Sequence, residues 1–151
     1  MAENPKMAGL TEARQVLRAA RTAALSVLDF DTGGPLGGLV NVAVTDRFEP
    51  IILTSTLSRH TQCLDRDGRG SLMLTGELPA SGDALMGFRA TMTGVFERST
   101  DPAIKDRFLA HHPYAELYAG FGDFGFRVMK PDKLYVVAGF GRVYSYDAKE
   151  I

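Results

Sequence analysis

The stretch Leu53-Thr54-Ser55-Thr56-Leu57-Ser58-Arg59-His60-Thr61-Gln62-Cys63-Leu64 decides how the chain is read. It opens as the end of an apolar strand, Ile51-Ile52-Leu53, and becomes a run of hydroxyls beside Arg59 and His60. Leu57, Thr61 and Leu64 then fall at helical spacing. A strand entering a hydroxyl-rich turn and a helix N-terminus gathers free backbone N–H groups, side-chain donors and positive charge, the set a phosphate needs. The same residues also fit an ordinary strand-to-helix corner, with Ser58 as N-cap and Arg59 in solvent. There is no Gly-x-x-x-x-Gly-Lys-Ser/Thr run, so the turn is not a P-loop.

Upstream, Thr11 is expected to cap a helix with Ala13, Val16, Leu17 and Ala20 on one face and Arg14, Arg18 and Arg21 on another. The basic stripe reads as a solvated face or as a second anion contact. Residues 24–29 and 39–45 alternate as strands, with a turn at Asp31-Thr32-Gly33-Gly34-Pro35. Gly37 and Gly38 stand at the entrance of the second, where glycine marks either a bulge or a ligand's close approach. Downstream, the pattern predicts a helix over 58–67, strands over 71–75 and 88–97, and a helix opened by Asp101-Pro102. A helical turn near 115–118 follows, then strands 124–129 and 134–138 joined by a turn at Pro131-Asp132. Strands dominate and short turns join them, with helices inserted at three places. That pattern favours a mostly β fold with peripheral helices, an antiparallel barrel, over βαβ winding.

The 151 residues suit one domain, expected over 11–151 behind a flexible lead at 1–10. The net charge of −1 implies no general attraction to nucleic acid or to an anionic membrane. No apolar run is long enough for a membrane span. The single Cys63 and an N-terminus without an apolar signal core point to the cytoplasm. Gly120-Phe121-Gly122-Asp123-Phe124-Gly125 matches a dinucleotide fingerprint in letters only. It follows a helix and enters a strand, the reverse of what that mechanism requires. His111-His112 before Pro113 reads as a helix C-cap or an exposed pair, with metal binding the weaker alternative. Tyr135, Phe140, Val143, Tyr144 and Tyr146 put more apolar surface near the C-terminus than one shell would hide, which suggests a homodimer. No nucleophile triad or carboxylate pair is evident, so any redox chemistry falls to a cofactor.

Several strings together resemble a known family. They are Ala13-Arg14 with Leu17-Arg18 and Arg21, Ser58-Arg59-His60-Thr61 with Leu64, Ser71-Leu72, and Phe108-Leu109-Ala110-His111-His112-Pro113-Tyr114-Ala115. Tyr118-Ala119-Gly120-Phe121-Gly122-Asp123-Phe124 and Gly139-Phe140-Gly141-Arg142 complete the set. The chain resembles the FMN-binding split-barrel proteins related to pyridoxamine 5′-phosphate oxidase, and within them the HugZ-type haem-utilisation branch. The resemblance implies a homodimer of antiparallel six-stranded split β-barrels, each interface cleft holding one FMN, and an oxidoreductase acting on a small-molecule substrate. It implies phosphate contacts from Thr54, Ser55, Ser58, Arg59, His60 and Thr61, and ring contacts near Gly38 and Asn41. Further cofactor contacts are expected from Arg89 and Phe140, and Arg142 is the candidate for an arginine from the second subunit. His60 stands where related oxidases have Lys, Gly38 where the branch often has Ser, and Cys63 where it often has Asn. The alternatives are a haem-binding or haem-degrading protein of the HugZ type, whose longer members place a haem-ligand histidine in a further C-terminal domain, and a flavin-binding protein without turnover.

Overall fold

Alternating burial builds the barrel one strand at a time. In the computed structural model, which describes residues 4–151, β1 (Thr22–Leu28) buries Ala23, Leu25 and Val27 and turns the residues between them outward. It pairs antiparallel with β2 (Pro35–Val44) on one side and with β4 (Arg69–Thr75) on the other. β3 (Pro50–Ser55) pairs with β2, β5 (Arg89–Ser99) with β4, and β6 (Phe124–Val137) with β5. β3 also pairs with β6, which closes a six-stranded ring, and β7 (Val143–Asp147) adds a seventh strand on β6. The fold is therefore a closed antiparallel barrel, mostly β, with peripheral helices.

Two helices plug the ends of this ring. α1 (Pro5–Ala19) sends Leu10, Ala13 and Leu17 into the core at one end, and α2 (Arg59–Arg66) sends Cys63 and Leu64 into it at the other. α3 (Pro102–His111) lies outside, where Phe108 packs with Ala43, Ile51 and Val128. β3 is thereby buried on both faces, which explains why Ile51-Ile52-Leu53 is apolar without alternation.

The helix at the N-terminus starts earlier than Thr11. Asn4 caps it by accepting from the Lys6 N–H, and Pro5 occupies its first turn. Thr11 lies mid-helix, its hydroxyl donating to the Met7 carbonyl at 3.1 Å. Residues 5–10 are thus ordered helix rather than lead; 1–3 lie outside the described residues. The Arg14, Arg18 and Arg21 stripe lies largely in solvent, with Arg18 and Arg21 exposed, yet each arginine has a partner within the chain. Arg14 donates to the Ile151 carbonyl, Arg18 lies 4.4 Å from the Phe48 ring centroid, and Arg21 donates to the His111 carbonyl.

β6 runs unbroken through Pro131. The register shifts between Thr93 and Gly94 of β5, so Asp132 is left without a partner and the strand bulges next to the proline, which has no N–H to donate. Gly37 and Gly38 lie within β2, not at its entrance. None of the described helices is long and apolar enough to cross a membrane.

Candidate functional site

The hydroxyls after β3 hold the turn together. Ser55 Oγ donates to Asp123 Oδ2 at 3.0 Å and accepts from the Leu57 N–H, while the Thr56 N–H donates to the Asp123 carbonyl. Asp123, from the glycine-rich segment, therefore anchors the turn. Ser58 occupies the N-cap position of α2 but does not cap it. Its hydroxyl donates back to the Ser55 carbonyl at 2.9 Å and accepts from Thr61 Oγ1 at 2.6 Å. The first amides of α2 are left without a side-chain cap.

Beside that helix end a cleft of about 230 Å³ opens, lined among others by Thr54, Thr61, Arg98, Phe124, Gly125 and Arg127. Thr54 is 4% exposed, and its Oγ1 has no hydrogen-bond partner. A buried hydroxyl without a partner costs about 1–3 kcal/mol, so this one marks a place where a ligand can supply the missing bond. Gly125 faces Thr54 across the β3–β6 ladder, and a Cβ there would meet nothing within 4 Å. The floor of the cleft is open because that residue has no side chain.

Two arginines converge on one carboxylate at the cleft. Arg127 is 5% exposed and is paired with Asp65 of α2. Arg98, opposite Arg127 in the β5–β6 register, holds the same Asp65 oxygen at 2.6 Å. The hydrogen bonds from Arg98 and then Arg127 pull the Asp65 carboxyl below its ordinary range, so it stays ionised. His60 is half-buried, and burial followed by the charge of Arg127 holds its imidazole below the usual value. In the free protein at neutral pH it is therefore uncharged. A Cβ at Gly38 would lie 3.4 Å from His60 Nδ1, so the glycine lets this ring approach β2.

Of the residues singled out from sequence, the structure gathers Thr54, Ser55, Ser58, His60, Thr61 and Gly38 at this barrel end. Arg59 begins α2 but turns to the β1–β2 hairpin. Its Nε donates to Asp29 at 2.9 Å, its Nη2 donates to Asp31 at 2.7 Å, and its guanidinium lies 4.0 Å from the Phe30 ring centroid. Asn41 is half-buried opposite Thr22. Arg89 donates to the Leu85 carbonyl, and Arg142 donates to the Ala138 carbonyl near Glu12. Phe140 is 87% exposed. Within one chain Arg89 and Arg142 lie at the α1 end, about 30 Å along β5 from Arg98 at the rise of a strand.

The histidine pair is neither exposed nor a simple cap. His112 is fully buried, its two ring nitrogens hydrogen-bonded at 2.7 Å to the Val42 carbonyl and to Tyr114 Oη. Its ring centroid stands 4.7 Å from that of Phe108. His111 Nε2 contacts the Ala20 carbonyl at 2.8 Å. Arg98, Arg127 and Asp65 were not anticipated. The signal for Arg127 was an unpaired-looking charge inside the apolar run Phe126-Arg127-Val128-Met129, which demands a buried partner.

No family model matches the chain. Among curated proteins, the chloroplastic heme oxygenase HOZ of Arabidopsis thaliana is 27% identical over 143 residues, 92% of this chain and 43% of its own. A heme binding protein from Mycobacterium smegmatis superposes with TM-score 0.87 at 24% identity, over 99% of this chain and 60% of that one. A Clostridium acetobutylicum protein related to general stress protein 26, of the pyridoxinephosphate oxidase family, superposes with TM-score 0.72 at 13% identity, over 98% and 99%. The chain thus spans under half of the curated relative it matches and about three-fifths of the mycobacterial one. These likenesses are of fold: the chain shares its closed antiparallel barrel with the mycobacterial and clostridial structures.

Proposed function

We propose that this chain binds FMN, with the phosphate seated between Thr54 and the N-terminus of α2, and that it serves as a flavin-dependent oxidoreductase for a small molecule. One observation carries the reading: a buried hydroxyl without a partner faces a cleft beside uncapped helix amides. An oxyanion there would accept from Thr54 Oγ1 and from those amides, satisfying both. When bound, the flavin would supply the electron transfer. The chain's own residues would bind, orient and enclose it.

The reading includes a homodimer. Arg89, Phe140 and Arg142 stand too far from Thr54 to share a cleft within one chain, so a second copy would bring them to it. An outward row of Leu39, Ala24, Met73, Thr91 and Tyr135, in register across five strands, offers an apolar face for that copy.

The second reading is haem, favoured by the likeness to the Arabidopsis heme oxygenase and the mycobacterial heme binding protein. Its propionates would suit the same cationic cleft. Axial ligation through either ring nitrogen of His112 would break the hydrogen bond which that nitrogen makes, and ligation through His111 Nε2 would break its contact with the Ala20 carbonyl. His60 is the histidine without a hydrogen-bonded ring nitrogen among the described residues. Titrating the protein with FMN, riboflavin and haemin separates the readings. FMN should bind at least about tenfold tighter than riboflavin. Equal binding of the two flavins would remove the phosphate seat. A sharp Soret band at stoichiometric haemin, without flavin binding, would establish haem instead.

A further inference from the structure

Arg59 lies in the turn that meets the phosphate, yet its donors are committed elsewhere. Asp29 and Asp31 hold its Nε and Nη2, and the Phe30 ring lies between Arg59 and Arg66, 4.0 and 4.3 Å from their guanidinium carbons. Arg66 sits two helical turns along the same helix, so the hairpin tip is clasped by two arginines of α2. The Asp29-Phe30-Asp31 tip already provides Arg59 with the paired carboxylates that an anion would have to displace. This arginine fastens the β1–β2 hairpin to α2.

Positive charge reaches the cleft by another route. Arg127 lies on the same inward face of β6 as Gly125, the residue opposite Thr54, and so stands diagonally across the ladder from that hydroxyl. Two guanidiniums, Arg98 and Arg127, share the single carboxylate of Asp65, which leaves the group one positive charge in excess. Asp123, another acid at this end of the barrel, is turned to Ser55 and the turn. Among the described residues the Arg127 guanidinium has Asp65 as its one hydrogen-bond partner, so most of its five N–H groups remain to be matched. A buried arginine so poorly matched is costly unless an anion joins it.

We propose that Arg127, positioned by Asp65, supplies the charge that seats the phosphate beside Thr54, and that Arg59 is a hairpin latch outside the anion site. The proposal rests on the FMN reading above. It deepens that reading by naming a phosphate monoester as the class of ligand group and β6 as the element that recognises it. Arg98 is the outer member of the cluster, exposed at the rim, and screens the cleft without enclosing the anion.

Thr54→Val, Arg127→Met and Arg59→Ala should be compared with the parent by fluorescence titration of FMN and riboflavin and by thermal melting without cofactor. Thr54→Val removes the unpartnered hydroxyl while keeping shape. It should raise the melting temperature of the cofactor-free protein by about 2 °C and weaken FMN by about tenfold, with riboflavin unchanged. Arg127→Met should weaken FMN by about thirtyfold or more and erase its advantage over riboflavin. Arg59→Ala should melt earlier yet keep the parent's preference for FMN. Should Arg127→Met fail to fold, Thr54→Val and Arg59→Ala decide. Loss of the FMN preference in Arg59→Ala, with Thr54→Val behaving as the parent, would overturn the assignment. A parent that does not prefer FMN would instead overturn the FMN reading itself.

Discussion

His112 carries no solvent exposure and accepts no free choice of tautomer. Nε2–H donates to the Val42 carbonyl, so Nδ1 accepts from Tyr114 O–H. Protonation would force the Tyr114 hydroxyl to turn from donor to acceptor, and burial, with the charges of His111 and Arg21 and against the Val42 hydrogen bond, holds the imidazole below its ordinary value. His60 is displaced in the same direction. The unfolded chain takes up these protons as pH falls below about 6.5, while the native state refuses them until the lower native values are reached. Stability is therefore full above about 6.5 and falls through that acid window. His112→Gln keeps a donor for Val42 and does not titrate. It should cost about 1–3 kcal/mol at neutral pH and reduce the acid loss, leaving the part due to His60. Urea unfolding at about pH 7.5 and about pH 5 measures both, and an undiminished acid loss in the variant would reject His112 as its source. At this scale the hydroxyl run and His60 were legible in sequence because their spacing alone gathers them. The pairing of Arg59 was not legible, because its partners, Asp29 and Asp31, lie about thirty residues away in sequence and meet it only through the hairpin. Thr54 could be named, but its lack of a partner could not be seen.

At the scale of elements, local chemistry was read well where one signal acted alone. Asp101-Pro102 does cap and start α3, with Asp101 Oδ1 accepting from the Ala103 N–H. Asn4-Pro5 carries the same pair of signals for α1, and a hydrophilic lead hid it. What orders that first turn is tertiary: Tyr146 Oη donates to the Lys6 carbonyl at 2.6 Å, and β7 packs closely on Gly9. Pro131 misled in the other direction, since proline and aspartate together suggest a turn, whereas the bulge opposite Gly94 lets the strand continue. Gly94 is required there by space: a Cβ would overlap the Lys130 carbonyl oxygen and lie 2.8 Å from Met129 Cγ. Gly94→Ala should therefore destabilise by about 3 kcal/mol or more, because backbone rather than a side-chain tip must yield. Gly120→Ala, where a Cβ meets nothing within 4 Å, should change stability by less than about 0.5 kcal/mol. Denaturant midpoints for the pair test this, and equal effects would mean that the β5–β6 bulge is not tightly packed.

For the whole molecule, a closed barrel was legible because short turns between alternating strands leave an antiparallel sheet little choice but to curl and close. The seventh strand was not, and its aromatics were assigned to an interface. Tyr146 is 2% exposed and belongs to the chain's own core with α1, so it contributes nothing to a second copy. The apolar surface left over lies elsewhere. Leu39, Met73 and Tyr135 are 75%, 40% and 47% exposed and stand in one row with Ala24 and Thr91. α3 covers the barrel on its β2–β3–β6 side, and no described element covers this row. A contiguous apolar face of this kind is disfavoured in water unless a partner removes it. The expected outcome is a two-chain mass by light scattering at micromolar concentration. Met73→Lys with Tyr135→Lys places two charges at the centre of the row and should yield monomers that still fold, because neither side chain enters the core. If the second copy delivers Arg89 and Arg142 to the cleft, those monomers should also bind FMN weakly. Monomers that keep the parent's FMN affinity would show that one chain holds the cofactor alone, and a double variant that stays dimeric would move the interface to another face.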